Sequence, residues 1–169
     1  MNSYARHLML LLGSCTAALG APAHAVTQSA AVNAQVVKPL TLTALQDLNL
    51  GTITLGSGSW SGASVGISQA GVFACNIKVT CTGIPQVAQF NVTGTNKMVV
   101  LVSAPNVTLI NQNNSSQTLN LIVDSPGQVT LPNAGQQGIN FNIGGSITLS
   151  STTVGGTYRG TINVTVNYQ

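Results

Sequence analysis

The sequence contains no glutamate, and its only acids are Asp47 and Asp124, set against five Lys and Arg residues in 169. Charged residues make up 4% of the chain, where about a quarter is usual for a globular domain. Both histidines, His7 and His24, fall in the first 25 residues. These absences remove most catalytic chemistry. General acid–base work near neutral pH draws on His, Glu or Asp, and beyond residue 25 only two isolated aspartates remain. A serine nucleophile would have no base to activate it. Zinc needs several His, Cys or carboxylate ligands and calcium needs several carboxylates at close spacing, so Cys75, Cys81, Asp47 and Asp124 make no site. The sequence predicts no catalytic residue, no metal, no cofactor and no enzyme.

Other classes fall for the same reason. Gly144-Gly145 and Gly155-Gly156 neither open a helix nor precede a Lys-Ser/Thr pair, so they read as turns rather than phosphate cradles. The pI is near 9.0, but Lys38, Lys78, Lys97 and Arg159 are scattered and form no basic stripe, which excludes nucleic acid as a partner. Past residue 25 no apolar run approaches the ~18 residues of a membrane span.

What is present begins with "MNSYARHLMLLLGSCTAALGAPAHA": Arg6, then an apolar stretch from Leu8 to Gly20, then Ala23-His24-Ala25. This is the pattern of a secretory signal cut after Ala25. A lipoprotein site at Leu12-Gly13-Ser14-Cys15 is the competing reading, with an apolar core at the short end of the usual ~7–15 residues. Either way the chain is expected to be exported, to the periplasm, the outer cell surface or the medium. The expected organisation is residues 1–25 as signal, 26–37 as an amino-terminal strand and 38–169 as a single domain.

Beyond the signal, Thr, Ser, Asn, Gln and Gly cover the surface that charge would normally cover, a composition suited to paired β structure and to self-association. Period-2 alternation recurs throughout. Ala30, Val32, Ala34 and Val36 alternate with polar or small residues, Pro39 breaks the run, and Ile162, Val164, Val166 and Tyr168 alternate with Thr161, Asn163, Thr165 and Asn167. Between them lie candidate strands at 48–55, 63–67, 89–93, 98–102, 107–110, 119–123, 139–143 and 146–149, separated by turn signals that include Gly144-Gly145. The predicted fold is an all-β, immunoglobulin-like antiparallel β-sandwich.

The stretch "GVFACNIKVTC" admits two readings. As one continuous strand it would hold Cys75 and Cys81 roughly 20 Å apart, beyond bridging distance. With a chain reversal between them, the two would close a small disulfide loop worth about 2 kcal/mol, the reading an oxidising compartment favours. Trp60, in the Gly/Ser-rich turn 56–62, is either edge packing or the anchor of a ligand site.

Taken together, "VVKPLTLTALQDLNLGTIT", "AQFNVTGT", "INFNIGGSITL" and "VGGTYRGTINVTVNYQ" resemble the bacterial exported family of domain of unknown function 4402, from about Ala30 to Gln169. Cys75 and Cys81 stand outside that family's pattern. More distantly, "LNLGTI" and "GTYRGTINVTVNY" look like subunits of archaic chaperone-usher pili of the spore-coat-U type. The pilin resemblance implies a sandwich lacking one strand, filled in trans by the amino-terminal segment of another subunit, with a periplasmic chaperone and usher as partners. Ala30, Val32, Ala34 and Val36 would then be the donor face, and Ile162, Val164, Val166 and Tyr168 the edge of the groove. Folding of 26–37 back in cis is the alternative, since the alternation is the same in both. The other function class is a monomeric secreted module that binds a glycan or a protein, with Trp60 at its site.

Overall fold

The computed structural model describes residues 25–133 and 137–169, and every regular element among them is a β-strand. The expected signal, Cys15 included, lies outside the described residues apart from Ala25. The chain divides into two units, residues 1–35 and 36–169. In the first, residues 25–35 adopt neither helix nor strand and are exposed. The amino-terminal strand expected over 26–37 is thus not formed in the single chain, because a strand is held by pairing and alternation alone supplies no partner.

In the second unit, β1 (Thr41–Gln46), β2 (Thr52–Leu55), β3 (Ala63–Ile67), β4 (Phe73–Cys75), β5 (Val79–Thr82), β6 (Ala88–Thr93) and β7 (Val99–Ser103) come first. They are followed by β8 (Val107–Asn111), β9 (Thr118–Asp124), β10 (Gln128–Thr130), β11 (Ile139–Leu149), β12 (Tyr158–Arg159) and β13 (Thr165–Tyr168). All their pairings are antiparallel. One layer is an eight-stranded sheet in the order β1-β6-β11-β9-β8-β12, with β3 and β4 joining it alongside β11. The facing layer comes in two pieces, the three strands β10-β7-β13 and the ribbon β2-β5. The protein is an all-β antiparallel sandwich.

The large sheet is organised by β11, whose first half pairs with β6 and whose second half runs between β9 and β3. This corrects the expected turn at Gly144-Gly145, because 139–149 is one continuous strand. The glycines serve close approach. The backbone from Ile67 to Gln69 crosses Gly144 where a Cβ would stand, and the Leu121 side chain lies against Gly145. Phe141, Ile143, Ile147 and Leu149 all reach the core from the same face, so the period of two is never broken.

Two apolar clusters fill the space between the layers. The first joins Val92, Phe141 and Ile143 of the large sheet to Val100 and Val102 of β7, with Leu42, Val164, Val166 and Tyr168 packed at its side. Phe90 stacks on Phe141 with ring centroids 5.8 Å apart. The second joins Val65, Leu121, Ile147 and Leu149 to Val79 of β5, with Ile53 and Leu55 of β2 and the Trp60 ring against it. Between the clusters the chain crosses from one layer to the other, through an isolated bridge that pairs Asn49 with Gln86.

The cysteines settle on the reversal. Asn76 to Val79 forms a turn in which the Val79 N–H donates to the Asn76 carbonyl at 3.1 Å and the Lys78 N–H donates to Asn76 Oδ1 at 3.0 Å. Cys75 and Cys81 are disulfide-bonded across it, with Cα atoms 6.2 Å apart. Cys75 belongs to the large sheet through β4, and Cys81 to the ribbon through β5, so the bond joins the two layers.

Candidate functional site: the open edges of the second layer

The apolar face at the end of the chain is built by strict alternation: from Thr161 to Gln169 every even residue is half-buried and every odd one is exposed. Ile162, Val164, Val166 and Tyr168 pack together against the first cluster, as their spacing predicts. Strand pairing is shorter than the alternation, covering only Thr165–Tyr168, which lie opposite Ser103 to Val100 of β7. The Gln169 N–H donates to the Val99 carbonyl at 3.1 Å. Peptide groups alternate in direction along a strand, so those of Val166 and Tyr168 point the other way, off the edge of the sheet. Among the described residues, no strand pairs with that edge.

The ribbon has a matching edge. β2 pairs with β5 on one side and, among the described residues, with no strand on the other. Leu48, just ahead of β2, and Ile162, just ahead of β13, each pack against both clusters. Leu48 and Ile162 thus each span the two clusters, and among the described residues no ladder joins the two pieces of the second layer. Leu42 of β1, the edge of the large sheet, and Leu40 just ahead of it also pack against the first cluster. A bulge between Ala44 and Gln46 leaves Leu45 half-exposed at that edge. Sequence reasoning missed Leu42 and Leu48 as members of this site, although both sit on alternating positions of their segments.

Tyr168 has a second role. Its hydroxyl donates to the Lys38 carbonyl at 2.6 Å and accepts from the Thr95 N–H at 2.7 Å, while the Lys38 N–H donates to Thr95 Oγ1 at 2.6 Å. Lys38 is thereby pinned on both of its backbone groups. On its amino-terminal side stands the candidate donor face, where Val32 is 91% exposed and Val36 90% exposed; Ala30 and Ala34 are exposed as well.

The other candidate residues lie apart from this edge. The Trp60 indole N–H donates to the Gly56 carbonyl at 3.1 Å, its backbone N–H to Ser151 Oγ at 3.2 Å, and its ring is half-buried on the second cluster. The disulfide turn carries Ile77 at its tip, 96% exposed. Asp124, one of the two acids, accepts the Gln69 N–H at 2.8 Å. Among the described residues no group of three or more His, Cys, Asp or Glu could hold a metal, and no helix is long and apolar enough to cross a membrane. No buried side-chain nitrogen or oxygen among them lacks a hydrogen-bond partner. What the edge offers is backbone hydrogen bonding beside apolar side chains, the recognition chemistry of an extended peptide.

A family model described as Domain of unknown function (DUF4402) matches residues 40–168, well over half of the chain. No curated protein and no solved structure matches.

Proposed function

We propose, from the premise that the chain belongs to the DUF4402 family, that it is an exported structural protein of the cell surface, a subunit that assembles by β-strand addition and not an enzyme. One observation carries the reading: the second layer is interrupted, and the edge strand β13 presents free peptide groups directly beside the half-buried Val164, Val166 and Tyr168. An added strand would satisfy those groups and cover those side chains at once.

The proposed occupant is residues 26–37 of a second copy. Their composition supports this, because Ala30, Val32, Ala34 and Val36 fall on one face and no residue of the segment is charged. Contact between one copy's segment and the next copy's edge is head-to-tail, and where the rotation does not close it builds a filament. A chaperone that shields the edge before assembly, and an outer-membrane platform that releases the subunits, are the partners such a route requires. The expected scarcity of acid–base chemistry in residues 26–169 supports a structural over a catalytic role.

The test is the size distribution of the exported chain, with and without Val32→Asp. The expected result is a ladder of oligomers or fibres for the parent and monomer for the variant, since a carboxylate cannot enter an apolar groove unpaired. A parent chain that sediments as monomer, or a variant that still forms ladders, would overturn the proposal.

A further inference from the structure

The ribbon β2-β5 is hydrogen-bonded as a sheet only to itself. Two strands alone are marginal in water, so its position depends on what ties it to the rest. Three kinds of tie are visible. Ile53, Leu55 and Val79 pack on the second cluster. The Asn49–Gln86 bridge anchors one end. The Cys75–Cys81 disulfide is the covalent link, joining β4 of the large sheet to β5 of the ribbon at the position opposite Ile53. The turn it closes is braced against the ribbon again, where the Gly56 N–H donates to the Lys78 carbonyl at 3.1 Å.

We propose that this disulfide controls the acceptor edge: it holds the β2-β5 ribbon on the second cluster, on which Ile162 ahead of β13 also packs, so that the chain accepts a strand only after Cys75 and Cys81 have been oxidised. The proposal rests on the strand-addition reading and adds a regulation to it. β2 would form one wall of the gap and β13 the other, and with the thiols reduced the first wall is held by packing on one cluster and a single bridge. Closing the bond removes two electrons and two protons from the two thiols. The acceptor is the disulfide of an oxidising thiol–disulfide exchange protein: a thiolate of the pair attacks it, and the second thiolate resolves the mixed disulfide, leaving the partner as a dithiol. Oxidation by such a partner therefore precedes assembly in the order of events. Strand acceptance by an immature, reduced subunit is suppressed.

The experiment compares the full exported chain oxidised, reduced with a phosphine, and as Cys75→Ala/Cys81→Ala. Hydrogen–deuterium exchange is read over residues 52–55 and 79–82, with 139–149 as the control for folding, and oligomer ladders are read in parallel. The expected result is exchange faster by about tenfold or more in the two ribbon strands. Protection over 139–149 stays unchanged, and the ladders are lost. Ribbon exchange that does not respond to reduction overturns the proposal whatever the ladders do. Loosened strands with ladders intact also overturn it, because the gap then needs no fixed β2 wall. An oxidised chain that forms no ladder at all, with ribbon exchange still responding to reduction, sinks the strand-addition reading and with it the gating, while leaving the staple standing.

Discussion

Val100 and Val102 of β7 are 0% and 4% exposed, whereas in the ribbon only Val79, at 8%, is comparably buried and Ile53 and Leu55 remain half-exposed. Both pieces cover the same large sheet. The three-stranded piece has ladders on both sides of β7 and side chains that interdigitate with Phe141 and Ile143. The ribbon has one ladder and a cross-link. A small sheet with enough buried side chains is held by packing, and one without them needs a covalent tie, as small domains with thin cores do generally.

The sharpest way to break this comparison is to truncate one side chain in the packing beneath the three-stranded piece and one in the ribbon. Ile143→Ala, at a fully buried position under the three-stranded piece, is expected to cost about 3–4 kcal/mol in urea unfolding. Leu55→Ala in the ribbon is expected to cost about half as much, since its site is already partly open to water. Equal losses would mean that the ribbon packs as tightly as the rest. Next in size is the cross-link itself. Cys75→Ala/Cys81→Ala should lower stability by about 2 kcal/mol in the chain-entropy model for so short a loop, read as a shift in the thermal midpoint. A loss much beyond that would show that the bond secures more of the fold than the ribbon. The smallest effect is expected at the edge of the three-stranded piece, where Tyr168→Phe removes the hydrogen bonds to the Lys38 carbonyl and from the Thr95 N–H while keeping the ring in place. About 1 kcal/mol is expected, together with faster amide exchange at Thr95.

Much of the fold was legible because period-2 alternation is a local signal. The strand expected at 63–67 is β3, and those expected at 89–93, 107–110 and 119–123 agree with β6, β8 and β9 to within a residue at either end. Gly144-Gly145 misled because a glycine pair is a turn signal in isolation, and the reasons for these glycines, the backbone from Ile67 to Gln69 passing over Gly144 and the Leu121 side chain against Gly145, lie in or just past other strands of the sheet. The sequence did carry the correction: Phe141, Ile143, Ile147 and Leu149 keep the same parity across the pair. β10, three residues long and set behind Ser125-Pro126-Gly127, offered no alternation to read. At the candidate site, the face of Ile162 to Tyr168 was legible and the break in the layer beside it was not, because which edges stay open is a property of topology. The Lys38–Tyr168 clasp was equally hidden, since it joins residues from opposite ends of the chain.

The edges left open in the second layer are neutral: neither β2 nor the stretch from Thr161 to Gln169 carries a charged side chain. On the strand-addition proposal the donor, residues 26–37, is uncharged as well, so ionic strength would have little to act on and encounter would proceed at the unsteered rates of neutral docking. Discrimination between a right and a wrong strand then falls to the fit of aliphatic side chains and to register. Both would be judged only after contact, and a mismatched strand would be rejected by how soon it leaves rather than by how seldom it arrives.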